Sequence, residues 1–128
     1  MLEYELYFRM ILKGIKTAAA YIYDDDKVSY IIQMKEIKRF AEMYDLDIKT
    51  WFYDSNPKRE AYCDMIHDSP PEDCDCIIAY RLDRMFDSVD DYNRCMEILQ
   101  GNTELFFCLD FDETKISGEL MFRRFYLS

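Results

Sequence analysis

Short apolar runs alternate along the chain with segments whose apolar residues recur at helical spacing. The first run, Thr17 to Tyr23, predicts a strand that ends in the acidic triplet Asp24 to Asp26. The segment after it predicts a helix of about four turns ending near Tyr44, because its apolar residues fall on one helical face. That face consists of Val28, Ile31, Ile32, Ile37, Phe40, Ala41 and Tyr44.

Three later runs predict further strands, and helical segments separate them. These strands are expected at Asp47 to Asp54, Cys76 to Tyr80 and Leu105 to Leu109. Strands and helices that alternate in this way are typical of a largely parallel sheet covered by helices.

Local end signals define the helices between these strands. Asn56 suits a helix cap and Pro57 the first helical position, so a short helix is predicted from Lys58 to about His67. Ser88 suits the start of another helix that stops at Gly101. The residues of that helix expected to point inward are Val89, Tyr92, Cys95, Met96 and Leu99.

The two ends of the chain give less uniform signals. Leu2 to Ile15 has an apolar spacing that suits a short helix broken at Gly14. A strand, or an extension that folds only against a partner, fits the same residues. From Gly118 onward the chain is apolar enough to begin another helix. Residues 1–16 are therefore interpreted as an N-terminal extension and residues 17–128 as one domain.

Charged residues follow directly after the third predicted strand. Functional groups of open α/β sheets collect at the carboxyl ends of the strands, and the segment Arg81 to Asp87 is expected there. Asp83 and Arg84 are thus well placed for a function. The alternative is that these two residues merely pair with each other and cap the turn.

Composition restricts the range of functions. The chain has 128 residues, enough for one domain, and a formal net charge of −10. An acidic surface repels phosphate backbones, so direct DNA binding is expected to be weak or absent. Five cysteines without a disulfide framework, no signal pattern and no apolar run of membrane-spanning length predict a cytoplasmic protein with free thiols.

No cofactor or metal is expected. Cys74 and Cys76 resemble half of a metal site, but no second pair of cysteine or histidine residues has a suitable spacing. The three glycines do not cluster, so the chain offers no glycine-rich phosphate loop for a nucleotide.

Several segments, taken in order, resemble the motifs of the serine recombinase catalytic domain, the family of resolvases, invertases and large serine integrases. Tyr21 to Asp25 stands where the family has Tyr-x-Arg-Val-Ser, and Ser29 to Gln33 where it has Ser-(Leu/Ile)-x-x-Gln. Asp54 to Arg59 corresponds to the family's Asp-x-x-x-Ser-Gly and Arg-Pro region. Tyr80 to Asp87 corresponds to its Lys-Leu-Asp-Arg-Leu-x-Arg segment.

The resemblance extends from about Thr17 to the C-terminus, since Asp110 to Phe122 is similar to the loop before the family's long helix. It implies a resolvase-like, three-layer α/β domain with a mainly parallel sheet of four to five strands flanked by helices. The chain stops where that long helix, which bears the family's dimer interface, begins.

The active-site residues that the resemblance implies are only partly retained. In the family a serine attacks the DNA phosphate, and arginines neutralise the charge that develops on it. Carried over, the nucleophile position is Asp25, the neighbouring arginine position is Tyr23, and the second arginine of the Leu-Asp-Arg motif is Asp87. The positions that keep the family's residue types are Gln33, Arg59, Asp83 and Arg84.

These departures predict a degenerate domain without strand-cleaving activity. A carboxylate at position 25 repels a phosphodiester, and two of the balancing cations are replaced. An active recombinase with relocated chemistry is the least favoured alternative.

We therefore expect a protein-interaction or regulatory module in DNA recombination or mobile-element biology. The expected partner is an intact serine recombinase or another nucleic-acid enzyme, in a homodimer or heterodimer. The expected contact patch is formed by Phe122, Phe125 and Tyr126. The alternative, weighed evenly with it, is that the last helix or the segment Leu2 to Leu12 folds back and covers this patch within the same chain. The alternative function is an acidic inhibitor of a nucleic-acid-binding protein, suggested by the net charge and the acidic runs. Such runs are more often ordinary solvated surfaces, and that explanation is preferred for them.

Overall fold

The computed structural model describes residues 2–25, 28–68, 74–99 and 103–109. Its strands are β1 (Thr17–Tyr23), β2 (Asp47–Asp54), β3 (Cys76–Ala79) and β4 (Glu104–Phe107). Its α-helices are α1 (Leu2–Leu12), α2 (Tyr30–Met43), α3 (Glu60–Cys63) and α4 (Val89–Leu99). A π-helical turn over Asp64–Asp68 continues α3, and a 3₁₀ turn over Leu82–Arg84 follows β3. The four predicted strands are confirmed, β1 and β2 with the predicted ends.

The described strands form one all-parallel sheet in the order β2-β1-β3-β4. The inner strands β1 and β3 are buried along nearly their whole length, which is why their residues are almost all apolar. The side chains of the three buried alanines Ala18–Ala20 are small, so helices can approach β1 closely on both faces of the sheet. The predicted α/β class with a mainly parallel sheet is confirmed.

Two apolar cores lie on opposite faces of this sheet. On one face α2 and Met10 of α1 cover Ala20 and Ile78. On the other face α3, the π-helical turn and α4 cover Tyr21 and Ile77. One layer of helices on each side of the sheet gives the three-layer arrangement.

The first segment of the chain is helical, which was one of the alternatives left open by its sequence. Gly14 has a φ of +70°, a left-handed conformation that suits glycine, and it follows the end of α1. Met10 is 1% exposed within the same core as β1, and the Tyr7 hydroxyl donates to Asp45 Oδ2 at 2.9 Å. The described part of α1 therefore packs on the domain, although the boundary at residue 16 stays a prediction.

Helix α2 confirms the predicted element but not the whole of its predicted buried face. Ile31 and Ile32 are 47% and 49% exposed, so this part of the predicted apolar face does not lie in the core. Gln33, the next residue of the helix, is fully buried. Its amide group donates a hydrogen bond to Tyr23 O at the end of β1. Ser29 caps the helix by accepting a hydrogen bond from Ile32 N at 3.5 Å. The predicted positions that are buried in the core are Ile37, Phe40, Ala41 and Tyr44.

Helix α4 begins as its sequence predicted. Ser88 Oγ accepts a hydrogen bond from Asp91 N at 3.1 Å, which satisfies one of the free donors of the first turn. Cys95 and Leu99 are buried, and the remaining predicted inward positions are half-buried against the same core.

Several predictions fall outside the described residues. They include the helix stop at Gly101, the segment from Asp110 onward and the contact patch formed by Phe122, Phe125 and Tyr126. Within the described part of the chain, no helix is both long enough and apolar enough to span a membrane.

The burial difference along α2 leads to a stability prediction. Ile37→Ala should lower the free energy of unfolding by about 2–5 kcal/mol, because it leaves a cavity in the core between α2 and the sheet. Ile31→Ala, a change of the same size on the same helix, should alter it by no more than about 0.5 kcal/mol. Urea unfolding followed by circular dichroism measures both, and equal losses would contradict the burial assigned to α2.

Candidate functional site at the carboxyl edge of the sheet

The carboxyl ends of the three strands β2, β1 and β3 meet at one edge of the sheet. Tyr23 is paired in register with Asp54, and Tyr21 with Ala79. The loops that begin at Asp24, Ser55 and Tyr80 therefore leave the sheet side by side. The predicted site residues that the structure describes belong to these loops or to the first turns of the helices that follow, except Tyr23, which is the last residue of β1.

Asp25 and Arg84 form an ion pair across this edge. Asp25 Oδ2 lies 2.6 Å from Arg84 Nη1, and the Arg84 side chain is only 5% exposed. Arg84 Nη2 also lies 3.3 Å from Asp83 Oδ2, and the guanidinium carbon is 5.9 Å from the centre of the Tyr23 ring. The cation at Arg84 is thus held between two carboxylates and one aromatic ring.

These contacts determine the charge state of Arg84. Burial disfavours the charged form and lowers the pKa, but hydrogen bonding to Asp25 and the negative charges of Asp83 and Asp25 more than offset it. The pKa of Arg84 therefore lies above its ordinary value, and the guanidinium stays charged. Neither Nε nor Nη1 makes a hydrogen bond of ordinary geometry with a described residue, so the contact of Nη1 with Asp25 is mainly ionic, whereas Nη2 donates to Asp83 Oδ2.

Asp83 pairs with Arg84, as one alternative in the sequence analysis predicted. Its contact with Arg81 is closer. Arg81 Nε and Nη2 lie 2.9 and 3.1 Å from the two carboxylate oxygens of Asp83, in a bidentate arrangement. The 3₁₀ turn holds this geometry because Leu82, between the two charged residues, is fully buried.

Gln33 organises the loop after β1 rather than pointing toward a ligand. Its Nε2 donates to Tyr23 O at 2.6 Å and to Val28 O at 3.0 Å, and its Oε1 accepts from Tyr23 N at 3.3 Å. These bonds satisfy main-chain groups that leave the sheet ladder at the end of β1. The contacts of this fully buried side chain therefore position Tyr23 and the loop that contains Asp25.

Arg59 is the centre of a second network. It has a φ of 52°, an uncommon conformation for a residue other than glycine, and its side chain is 8% exposed. Its Nη1 lies 2.9 Å from Asp91 Oδ2 and 3.4 Å from Asp87 Oδ2, and its Nη2 donates to Met85 O. Its guanidinium also stacks 4.1 Å from the centre of the Tyr62 ring. Arg59 therefore ties the loop after β2 to the loop after β3.

The charged state of Arg59 is stabilised by these partners. Burial lowers its pKa, but hydrogen bonds to Tyr21 and Asp91 and the charge of Asp91 raise it above the ordinary value overall. Tyr21 is buried beside it, and that burial raises the pKa of the phenol despite the lowering effect of the Arg59 charge. Tyr21 thus stays neutral, and its hydroxyl donates a hydrogen bond to Asp54 Oδ2 at 2.8 Å.

Asp54 replaces the predicted cap of the helix after β2. Its two carboxylate oxygens accept hydrogen bonds from Ala61 N and Tyr62 N, both at 2.9 Å. The prediction that Asn56 and Pro57 open this helix was wrong, because these residues form a turn in which Asn56 Oδ1 accepts from Lys58 N. Helix α3 begins at Glu60, and its cap comes from the end of the neighbouring strand.

The structure therefore divides the predicted site residues between two adjacent networks. Asp25, Asp83 and Arg84 form one, with Tyr23 against it, and Arg59 and Asp87 belong to the other. Asp87 is 75% exposed and lies at the outer margin of its network. Sequence reasoning did not identify Asp91, which is the closer partner of Arg59 and has no motif that separates it from Asp90.

A cleft of about 210 Å³ lies beside the Arg59 network, between α3 with its π-helical turn and α4. Its lining includes Lys58, Tyr62, Cys63, His67 and Arg94. Within the described part of the chain, no group of three or more metal-ligating side chains is assembled. Four of the cysteines are buried free thiols, as predicted, whereas Cys63 is exposed. Burial raises the pKa of Cys76 to about 12 and that of Cys95 to about 11, so both stay protonated.

The Asp25–Arg84 pair leads to a second stability prediction. Asp25→Ala should lower the free energy of unfolding by about 1–3 kcal/mol, because it leaves the buried Arg84 with one carboxylate instead of two. Asp87→Ala, which removes an exposed carboxylate from Arg59, should change it by less than about 1 kcal/mol. Urea unfolding at neutral pH measures both variants. An Asp25→Ala protein as stable as the parent would show that the pair does not contribute to the folded state.

Comparisons with known proteins agree with this fold. The family model "Resolvase, N terminal domain" matches residues 23–126. The fold is similar to that of the N-terminal catalytic domain of TP901-1 integrase, with a TM-score of 0.66 and 20% identity over 74% of this chain and 78% of that chain.

A second solved structure shows the same likeness. The C-terminal catalytic domain of ISC1926 TnpA, an IS607-like serine recombinase, has a TM-score of 0.58 and 12% identity over 71% of this chain and 68% of that chain. The sequence matches no curated protein. Because the family model spans most of the chain and the sheet has the expected arrangement, the chain belongs to the resolvase N-terminal domain family and has the serine recombinase catalytic fold.

Proposed function

We propose that this chain is a resolvase-family domain that does not cleave DNA and acts in DNA recombination by binding a protein partner. The observation on which the proposal depends is the ion pair between Asp25 and Arg84, 2.6 Å apart. Asp25 stands at the position that the family resemblance assigns to the nucleophilic serine, and Arg84 at a retained arginine position.

The chemistry of strand cleavage conflicts with this pair. The family's serine supplies a hydroxyl that becomes bonded to the DNA phosphate, and nearby cations stabilise the negative charge on the phosphate oxygens. A carboxylate at position 25 adds negative charge where a phosphate must bind. The charge of Arg84 is already balanced by Asp25 and Asp83, so little of it is available to a substrate.

The other cation positions support the same conclusion. The resemblance expects arginine where the chain has Tyr23 and Asp87, and the retained Arg59 is bound to Asp91 and Asp87. Removing one positioned charge stabiliser typically costs about 3–4 kcal/mol of transition-state stabilisation. Replacement of the nucleophile and two cations together therefore leaves no efficient route to cleavage.

The electrostatics of the edge also disfavour DNA. The carboxylates of Asp24, Asp25, Asp54, Asp83, Asp87 and Asp91 outnumber the guanidinium groups of Arg59, Arg81 and Arg84. With a net charge of −10 over the whole chain, the domain repels a phosphate backbone rather than releasing counterions from it. Since DNA cleavage and DNA binding are both disfavoured, we propose that the domain binds a protein in the cytoplasm. Its predicted contact patch is formed by Phe122, Phe125 and Tyr126.

The lack of cleavage can be tested without knowledge of a recombination site. A tagged chain is recovered from its native host under strongly denaturing conditions, and the DNA that remains attached is quantified. We expect no more attached DNA than with the Asp25→Ala variant, because position 25 has no hydroxyl with which to form a phosphoserine. Attached DNA that disappears in the Asp25→Ala variant would show that the domain is an active enzyme with different chemistry.

The alternative function is an acidic inhibitor, which the excess of carboxylates at the sheet edge favours. Identification of the proteins that co-purify with the chain separates this alternative from the proposed role. Purification from the native host should recover a serine recombinase, and replacing Phe122, Phe125 and Tyr126 with lysine should abolish that recovery. The complex should survive an increase from about 0.1 to 0.5 M salt, since apolar contacts are not screened. Recovery instead of another nucleic-acid enzyme, released steeply over the same range of salt, would support the acidic inhibitor and contradict our proposal.

A further inference from the structure

The cleft beside the Arg59 network lies between two helical segments that cover the same face of the sheet. Tyr62 and Ile66 line one wall, on α3 and its π-helical turn. Cys95 and Ile98 line the opposite wall, on α4. Residues three or four positions apart share one side of a helix, so each segment presents one side to the cleft.

The deeper lining of this cleft is apolar. Tyr62, Ile66 and Cys95 are buried, and Ile98 is half-buried against the same core. The volume of about 210 Å³ is enough for one six-membered ring with a substituent, because apolar cavities of about 150 Å³ accept benzene. The cleft therefore suits the apolar part of a small organic molecule.

Exposed cations line the mouth of the cleft. Lys58 and Arg94 are both exposed, and neither forms an ion pair within the part of the chain that the structure describes. The carboxylates of Asp87 and Asp91 lie 3.4 and 2.9 Å from Arg59 Nη1, so both are directed to that buried cation. Among the described residues, the lining has three cations and two carboxylates with histidine counted as neutral, whereas the whole chain has a formal net charge of −10.

We propose that this cleft binds a small organic anion, with its apolar body against Tyr62 and Ile66 and its carboxylate or phosphate group facing Lys58 and Arg94. Neither half of such a ligand suffices alone. An exposed ion pair contributes little in water, because both partners are well solvated when they are apart. A ring without a charge would leave the two cations without an anion, whereas clefts with an apolar lining and a few polar groups hold ligands that present both.

The proposed contacts of the anion lie outside the family's site positions. Lys58 and Arg94 are not among the positions to which the family resemblance assigns a role. Asp25 and Arg84 do not line the cleft. Binding of a small anion here and binding of a protein partner by the domain are therefore independent, and either can fail without the other.

Asp87 is the carboxylate that opposes such a ligand. Its side chain is 75% exposed, and its closest cation is Arg59 Nη1 at 3.4 Å. The Asp91 carboxylate, in contrast, is mostly buried and accepts hydrogen bonds from Arg59 Nη1 at 2.9 Å and from Asp87 N at 3.0 Å. A negatively charged ligand should therefore bind more tightly when the Asp87 carboxylate is removed.

Titration of the purified full chain with matched probes tests this site. Benzoate and phenyl phosphate combine a ring with an anionic group, whereas phenol supplies only the ring and inorganic phosphate only the anion. At neutral pH and about 0.1 M salt, at least one aromatic anion should bind with a dissociation constant of about 1 mM, as expected for about ten non-hydrogen atoms. Phenol and inorganic phosphate should each bind at least about fivefold more weakly. The ratio between benzoate and phenyl phosphate distinguishes a carboxylate site from a phosphate site.

NMR spectra of ¹⁵N-labelled protein locate the bound probe, because amide shifts respond to nearby ligands. The amides of Cys63 and Arg94, in the two walls of the cleft, should shift in a saturable way. The amide of Ile37 should not shift, since this residue lies in the core on the opposite face of the sheet.

Variants test the contribution of each charge. Arg94→Glu should weaken binding of the aromatic anion by at least about fivefold, because it replaces attraction with repulsion. Asp87→Ala should strengthen binding by about twofold or more. Arg39→Glu makes the same change of charge on α2, at a side chain that is 71% exposed, and should leave binding unchanged. Circular dichroism checks folding, and Lys58→Glu replaces Arg94→Glu if that variant does not fold.

Four outcomes would overturn the inference. The absence of a saturable shift with either aromatic anion up to about 20 mM would show that the cleft does not hold this class of ligand. Equally tight binding of phenol would remove the need for an anion, and equally tight binding of inorganic phosphate would remove the need for an apolar body. An equal loss of affinity in Arg94→Glu and Arg39→Glu would show that the probes respond to overall charge rather than to the cleft.

Discussion

Burial of strand β1 on both faces is the constraint on which the rest of this structure depends. Ala18–Ala20 and Tyr21 are fully buried, so helices must cover the sheet from either side. The side chains of β1 thus belong alternately to the two cores, with Ala20 in one and Tyr21 in the other. With its neighbours β2 and β3 parallel to it, the loops that follow all three strands emerge at one edge. The candidate site is a consequence of this parallel order.

At that edge, the positive charges of buried arginines are neutralised by neighbouring carboxylates. Arg59 and Arg84 are both buried, and a buried guanidinium is tolerated only when carboxylates or main-chain acceptors surround it. In a catalytic site such cations are kept available for a substrate, at a cost to stability. Here Asp91 and Asp25 occupy the positions next to them. Arg59 and Arg84 thus connect neighbouring loops at this edge through these carboxylates.

The two networks also explain how the loops keep their shape without regular secondary structure. Gln33 bonds to the main chain on both sides of the turn after β1, and Asp54 caps α3 from the end of β2. Arg59 joins the second loop to the third through Met85 O and Asp91. The contacts of Arg59 link residues 26 and 32 positions apart in the chain, so they depend on the sheet that brings these loops together.

The sequence by itself determined the strands, the α/β class, the cap at Ser88 and the family. These features depend on local apolar periodicity and on motifs a few residues long. Only the tertiary structure decided that Arg84 pairs with Asp25, that Asp91 is the closer partner of Arg59, and that Ile31 and Ile32 face solvent. The physical reason is that helical spacing does not show how far a helix is covered, and that hydrogen-bond partners from different loops meet only through the register of the sheet.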